Sequence, residues 1–129
     1  MALGIAIDVN RYCDFSKGDD EAVRVIRNAD RLVVPFIVLA ELRAGFRRGA
    51  QTKTNERLLT DFLQLPWVEV AYADEATTHF YAILYTELRQ AGTPIPTNDI
   101  WIAALVMQHD LVLFSRDKHF DHVARVARI

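Results

Sequence analysis

Short apolar runs alternate along this chain with longer segments in which apolar residues recur every three or four positions. The short runs have the length and composition of buried strands. They are LGIAI at 3–7, LVV at 32–34, WVEVAY at 67–72 and LVLF at 111–114, with ARI at 127–129 as a possible fifth strand. The helical period predicts helices that begin at Glu21, Phe36, Thr54, Asp74 and Thr97.

The alternation of strands and helices predicts an α/β fold with a mainly parallel sheet and right-handed crossovers. Functional sites in such sheets lie at the carboxyl ends of the strands. The chain has 129 residues, of which 51% are hydrophobic and 25% charged. That size and balance predict a single domain over residues 1–129 with a sizeable core.

Composition narrows the class of protein further. No apolar run approaches the roughly 20 residues of a membrane span, and the first residues lack the features of a signal peptide, so we expect a cytoplasmic protein without membrane contact. Cys13 is the only cysteine, which excludes an internal disulfide and a cysteine-rich zinc site. We expect it to be a small core residue.

One stretch carries a local excess of positive charge, although the formal net charge is −2 and does not indicate a nucleic-acid-binding protein. Arg43, Arg47 and Arg48 form this basic stretch, and Lys53 and Arg57 follow it. The spacing of Arg43 and Arg47 places them on one helix face. The stretch is either a solvated helix face or a rim that binds RNA phosphates or an acidic or aromatic protein segment.

Asp99 follows Thr97 and Asn98 at the start of a helix that is apolar nearly all round. An acidic residue in a first turn gains about 0.3 to 1 kcal/mol from the helix dipole, and Thr97 or Asn98 would serve as the N-cap. Asp99 stands beside Ile100 on an element expected to be buried, where a carboxylate needs a partner. The sequence around Asp99 does not supply that partner.

Three further carboxylates occupy comparable places. Asp8 and Asp117 follow the first and last predicted strands, and Glu41 interrupts the apolar helix segment IVLAELRAG. Each has an ordinary alternative as a turn residue or a helix-edge acid. If the sheet brings them to one edge with Asp99, they repel one another unless a cation lies among them, and oxygen ligands select a hard ion such as Mg²⁺ or Mn²⁺.

The amino-acid sequences of these segments make the functional prediction more specific. An Asp-x-Asn after the first strand, LAELRAG, TNDIWIAA and SRDKHF together resemble the PIN-domain ribonucleases, particularly toxins of the VapC type. The resemblance implies a PIN-like three-layer α/β/α sandwich with a mainly parallel central sheet. It also implies an Mg²⁺-dependent endoribonuclease, with Mn²⁺ able to substitute, that hydrolyses RNA by metal-activated water, forms a homodimer and is silenced by a cognate antitoxin.

The resemblance also assigns roles to individual residues. It implies that Asp8 and Asp99 bind the metal directly, and that Glu41 and Asp117 complete the site directly or through water. Three polar residues fall on positions that would hold these carboxylates by hydrogen bonds: Asn10, Thr97 and Asn98. Val9 departs from the pattern, since Thr or Ser is common there, but it removes no ligand.

Two other functional classes fit less well. A phosphoacceptor receiver domain has a similar size, but it would need adjacent acids after the first strand, and Asp74 instead has the position of a helix N-cap. A catalytically silent PIN-like binding module would be favoured if one acidic position were lost, and none is.

Other chemistry-bearing residues have ordinary explanations. His119 and His122 with Asp121 form only a weak zinc pattern, and His79 and His109 are expected on the surface. Four aromatic residues have spacings typical of core or dimer contacts more than of base stacking: Trp67, Tyr81, Tyr85 and Trp101. Apolar residues on more than one face of TTHFYAILYTEL predict a dimer surface.

Overall fold

A computed structural model describes residues 4–129. Its strands are β1 (Gly4–Ile7), β2 (Arg31–Pro35), β3 (Val68–Ala71) and β4 (Val112–Phe114). Its helices are α1 (Val9–Ser16), α2 (Asp20–Asn28), α3 (Phe36–Arg48), α4 (Thr52–Leu63), α5 (Glu75–Gln90) and α6 (Thr97–Gln108), and a 3₁₀ helix covers Lys118–His122. The predicted first strand included Leu3, which lies outside the described residues.

The strands form one parallel sheet in the order β3-β2-β1-β4, which confirms the predicted α/β class. The two central strands β1 and β2 are almost wholly buried, as expected when helices cover both faces of a parallel sheet. The predicted fifth strand is reduced to an isolated bridge between Leu113 and Arg128. That bridge fastens the chain beyond the 3₁₀ helix to the outer edge of β4.

The order of the strands explains the three layers. The chain steps from β1 to β2 to β3 in one direction through α1 to α4, and then returns through α5 and α6 to β4 on the other side of β1. Right-handed connections in opposite directions place their helices on opposite faces of the sheet. The result is the expected α/β/α sandwich, with the carboxyl ends of β1 and β4 side by side.

Helix α1 was not predicted from the sequence pattern. It has eight residues, and Asp8 begins it as the N-cap, accepting a hydrogen bond from the main-chain N–H of Arg11 at 3.0 Å. The short apolar period of VNRYCDFS gave no clear helical signal. Asp8 is therefore both the residue that ends β1 and the residue that starts the first helix.

The starts of two other helices were predicted from their cap residues, with different results. Asp74 caps α5 in a capping box with Thr77, as expected. The prediction that Thr97 or Asn98 caps α6 is wrong, because Pro96 holds the N-cap position and no side chain caps the helix. Proline favours the extended conformation that precedes a helix, and this leaves the first-turn side chains free for other contacts.

Helix α6 is the most deeply buried helix and ties the site to the core. Its apolar side chains from Ile100 to Val106 pack with those of the sheet. Cys13 is half-buried against the same core. No helix in the described part of the chain is long and apolar enough to cross a membrane.

Candidate active site

Four carboxylates line one small cavity at the carboxyl edge of the sheet. They come from the end of β1, the middle of α3, the first turn of α6 and the loop after β4: Asp8, Glu41, Asp99 and Asp117. The cavity has a volume of about 190 Å³, and Val9, Asn10 and Ile102 complete its lining. The structure thus brings together the four acids that the sequence singled out, and we call this the acidic cavity.

Asp8 forms the floor of the acidic cavity and is only 5% exposed. Its carboxylate accepts hydrogen bonds from the main-chain N–H of Arg11 and from the hydroxyl of Ser115. Burial raises the pKa of Asp8 above its ordinary value, and these two hydrogen bonds oppose the rise. The charged form is therefore held by fixed donors while its remaining acceptor positions are available to a cation.

Glu41 enters the cavity from α3, with Leu42 buried next to it. Its Oε1 atom is buried and has no hydrogen-bond partner among the described residues. The pKa of Glu41 is raised, first by burial and then by the negative charges of Asp99, Asp8 and Asp117. A buried carboxylate oxygen without a donor is costly, so this atom indicates a missing positive partner.

Asp99 and Asp117 form the outer side of the cavity. Burial is the largest cause of the raised pKa of Asp99, and a hydrogen bond with His119 works against it. Asp117 begins the 3₁₀ helix as its N-cap and accepts a hydrogen bond from the main-chain N–H of His119 at 2.9 Å. Asp99 lies in the apolar first turn of α6, but its side chain faces the other acids and His119.

Sequence reasoning assigned no role to Ser115 and considered His119 only as part of a weak zinc pattern. Ser115 is buried, donates its hydroxyl to Asp8 and accepts a hydrogen bond from the main-chain N–H of Asp117 at 3.1 Å, so it links two acids of the cavity. The ring of His119 has its Nδ1 atom 2.8 Å from Oδ2 of Asp99. Both residues lie in the segment SRDKHF, two positions before and two positions after Asp117, and this proximity is the sequence feature that could have identified them.

The residues expected to hold the carboxylates by hydrogen bonds are placed differently. Asn10 lines the acidic cavity, and Thr97 and Asn98 line a wider adjoining cleft of about 480 Å³ together with Pro96 and His119. Within residues 4–129 none of these three polar side chains hydrogen-bonds to an acid of the cavity. Ser115, the N–H of Arg11 and His119 make those bonds instead.

The basic stretch of α3 is divided by the structure. The Nε atom of Arg43 lies 3.1 and 3.3 Å from the carboxylate oxygens of Glu56 on α4. Arg43 and Arg47 are both exposed. Arg48 lies seven positions after Glu41 and therefore on the same helix face. Glu41 and Arg48 both line a groove of about 510 Å³ between α1, α3 and α4, in which Lys17 supplies a second cation.

The residues of the acidic cavity fit a divalent cation. Burial raises the pKa of Asp8, Glu41 and Asp99 most, and the negative charges of neighbouring acids raise each of them further, as expected of carboxyls that share a cavity without a counter-charge. The unpaired Oε1 of Glu41 gives the same indication independently. Carboxylate oxygens are the donors that Mg²⁺ and Mn²⁺ prefer, so Asp8, Glu41, Asp99 and Asp117 can hold such an ion.

Comparison with known proteins agrees with this fold. Residues 9–126 match the family described as PIN domain. Ribonuclease VapC4 of Mycobacterium tuberculosis is 30% identical over 87 residues, which cover 67% of each chain. The structure of VapBC-1 from nontypeable Haemophilus influenzae is similar with a TM-score of 0.84, 26% identity and coverage of 98% of this chain and 97% of that chain.

A further solved structure is that of VapBC-5 from Mycobacterium tuberculosis, a member of the VapBC family of toxin-antitoxin systems. Its TM-score is 0.74 at 25% identity, and the match covers 98% of both chains. The match to the family extends over most of the chain. The chain belongs to the PIN domain family and, within it, to the VapC group.

Proposed function

We propose that this protein is a Mg²⁺-dependent endoribonuclease and the toxin of a toxin–antitoxin system. The observation that carries the proposal is the acidic cavity, in which four carboxylates meet and one buried oxygen of Glu41 has no partner among the described residues. The name of the similar ribonuclease VapC4 supports RNA as the substrate. Because none of the four acids is missing, an active enzyme is favoured over a silent binding module, and the PIN fold excludes a receiver domain.

The proposed metal ligands are Asp8 and Asp99, with Glu41 and Asp117 completing the site directly or through water. When bound, Mg²⁺ supplies activation of a water molecule and neutralises negative charge on the scissile phosphate. Mn²⁺ is expected to substitute, since it takes the same oxygen donors.

The remaining contribution of the chain is to hold the acids in place. The hydroxyl of Ser115 and the N–H of Arg11 occupy two acceptor positions of Asp8, which orients its carboxylate. Before metal binds, the hydrogen bond between His119 and Asp99 orients the Asp99 carboxylate on the opposite side of the cavity. We propose that Asn10, Thr97 and Asn98, which line the cavity and its adjoining cleft, contact the sugar and phosphate groups of the RNA.

The substrate path leads away from the cavity across exposed polar surface. The adjoining cleft is open but small, which favours single-stranded RNA over a rigid duplex. We propose that Arg47 and Arg48 bind phosphates of the bound strand, and that Arg43 does so only if its ion pair with Glu56 opens.

Two protein partners belong to the same proposal. VapBC-5, which is similar in fold, is a member of a toxin-antitoxin family, and this supports a cognate antitoxin for the present chain. A second copy of the chain is the other proposed partner, since Ile83 and Tyr85 of α5 are exposed large hydrophobic residues. The cytoplasmic location and the single domain stay predictions from the sequence.

Cleavage of RNA tests the proposal directly. The purified chain with Mg²⁺ should cut single-stranded RNA and leave 5′-phosphate and 3′-hydroxyl ends, and EDTA should stop the reaction. The Asp8→Asn and Asp99→Asn variants should each lose at least about 10-fold in rate. Asp20→Asn, an exposed acid in the first turn of α2, is the matched control and should keep the rate. Cleavage that survives in both site variants would contradict the proposal.

A further inference from the structure

His119 stands at the edge of the acidic cavity although its side chain is half exposed. Its Nδ1 atom lies 2.8 Å from Oδ2 of Asp99 and 3.3 Å from Oδ1 of Asp117. One ligand atom from each of these three residues falls within 4.8 Å of the others. The imidazole nitrogen therefore faces both acids rather than solvent.

The local backbone fixes this placement. Asp117 caps the 3₁₀ helix by accepting a hydrogen bond from the main-chain N–H of His119, and this contact turns the chain back toward α6. Phe120, the next residue, is buried in the core and anchors the same turn. With its main chain held on both sides, His119 places its ring beside Asp99 and Asp117.

The spacing of these atoms suits a shared cation. Two ligand atoms at about 2.1 Å from an ion and at a right angle to each other are about 3 Å apart. The distances from Nδ1 to the two carboxylate oxygens, 2.8 and 3.3 Å, lie on either side of that value. The three side chains would therefore need little movement to bind an ion together.

The unpaired oxygen of Glu41 is an independent indication that a cation belongs in this cavity. The zinc pattern considered from the sequence does not form, because Asp121 is paired with Arg128 and His122 borders a different cavity. Of the two histidines in that pattern, His119 is the one that reaches the acids. Its partners are Asp99 and Asp117, which come from α6 and from the loop after β4.

A nitrogen ligand changes which metal a site prefers. Mg²⁺ favours oxygen donors and retains water in preference to imidazole, whereas Mn²⁺, which also takes oxygen donors, accepts an imidazole nitrogen more readily than Mg²⁺ does. We propose that His119 supplies a nitrogen ligand to the cation held by Asp99 and Asp117, so that the site binds Mn²⁺ in preference to Mg²⁺. This inference rests on the proposed function, since it concerns the same metal site.

Pulsed electron paramagnetic resonance of the Mn²⁺-loaded protein tests the inference, because a directly bound nitrogen gives a resolved hyperfine coupling. The wild-type chain should show this coupling, and labelling its histidines with ¹⁵N should change it without any substitution. His119→Gln should abolish the coupling and weaken Mn²⁺ binding by about 10-fold or more. His122→Gln, an exposed histidine of the same 3₁₀ helix, is the matched control and should leave both unchanged.

Measuring the Mg²⁺ affinity of the same variants distinguishes a nitrogen ligand from a general loss of the site. If His119 is a ligand, His119→Gln should change Mg²⁺ affinity by less than about 3-fold while it weakens Mn²⁺ binding. Equal loss of both ions, or Mn²⁺ binding without a nitrogen coupling, would overturn the inference and leave the carboxylate site standing. Failure of the wild-type chain to bind either ion would overturn the proposed metal site as well.

Discussion

Glu41 has a buried carboxylate oxygen, Oε1, whose surroundings supply no donor within the described residues. Three other carboxylates share its cavity. Burial and those neighbouring charges raise the pKa of Glu41. A carboxylate in such a position is expected to lower the stability of the metal-free protein, a cost that is common at functional sites.

Removal of the charge should therefore stabilise the metal-free protein. In Glu41→Gln the side chain keeps its shape, and its amide can donate to the neighbouring carboxylates. We expect the free energy of unfolding in EDTA to rise by about 1 kcal/mol, or the melting temperature by roughly 3 to 5 °C. Glu75→Gln, at an exposed position in the first turn of α5, is the control and should not stabilise. A destabilised Glu41→Gln would contradict this account of the cavity.

The same substitution should show a defined pH dependence. A carboxyl whose pKa is raised by folding binds more protons in the folded state, so its contribution to stability falls as pH rises. The ordinary pKa of this group is 4.5, and the pKa of Glu41 in the folded protein is higher. The advantage of Glu41→Gln should thus be small below pH 4.5, grow as pH rises through the folded pKa, and then stay constant. Chemical denaturation at several pH values in EDTA measures it, and an advantage largest at low pH would contradict the sign.

The four acids could be predicted from the sequence because of their places in the apolar pattern and because the segments that carry them resemble the PIN-domain ribonucleases. Asp99 and Glu41 interrupt apolar helices, and Asp8 and Asp117 follow apolar strands. Ser115 and His119 could not be identified in the same way. A buried serine after a strand and a histidine in a short polar segment are ordinary, and only the turn between them shows what they contact.

At the scale of elements, the loop that carries Asp117 is held by a distant residue. One terminal guanidinium nitrogen of Arg128, Nη2, donates to the carbonyl oxygens of Ser115 and Asp117 at 3.0 and 3.1 Å. The bridge between Arg128 and Leu113 brings the arginine to this position. Arg128 thus fastens the loop after β4.

Removal of this guanidinium should weaken the protein and the site together. We expect Arg128→Ala to lower the free energy of unfolding by about 1 to 3 kcal/mol, since two carbonyl groups lose a charged donor. Arg125→Ala removes an exposed ion pair with Glu87 and should cost clearly less than Arg128→Ala. Urea unfolding of both variants provides the comparison. Equal effects would show that the loop does not depend on Arg128.

The elements that the sequence predicted well are those with strong apolar patterns. All four strands and five of the six helices in the described part of the chain were expected near their observed places. Helix α1 was missed because it has eight residues, and its cap, Asp8, is equally typical of a turn. The start of α6 was misassigned because Thr97 and Asn98 are good cap residues by type, although the preceding Pro96 takes the cap position.

At the scale of the whole molecule, α5 presents apolar surface that the core does not use. Leu84 and Leu88 face inward, but Ile83 and Tyr85 are 44% and 42% exposed. Tyr81 stacks on Tyr85 and lies with its ring centroid 4.3 Å from that of Trp101, which stiffens this surface. A rigid apolar face of this kind is typical of an interface between identical chains.

We therefore expect a homodimer at micromolar concentration. Ile83→Glu should shift the chain toward the monomer in sedimentation velocity, because a charge would be buried at the interface. Leu58→Glu changes a residue of similar exposure on α4 and should leave the dimer intact. A wild-type monomer, or a dimer insensitive to Ile83→Glu, would contradict the prediction.

RNA binding should depend on the basic stretch despite the net charge of −2. With Ca²⁺ in place of Mg²⁺ to suppress cleavage, Arg47→Gln and Arg48→Gln should each reduce the logarithmic salt slope of binding by roughly 0.7 for each phosphate that the variant no longer binds. Arg43→Gln should change it less, because Arg43 is paired with Glu56. Unchanged slopes in Arg47→Gln and Arg48→Gln would identify the stretch as an ordinary solvated face.

The central claim is that the acids of the cavity exist to hold a divalent cation. Isothermal titration of Mg²⁺ into the wild-type chain, Asp99→Asn and the control Asp20→Asn tests it most directly. The account predicts saturable binding by the wild-type chain and by Asp20→Asn, and affinity at least about 10-fold weaker in Asp99→Asn. Equal Mg²⁺ affinity in the wild-type chain and Asp99→Asn would contradict the claim.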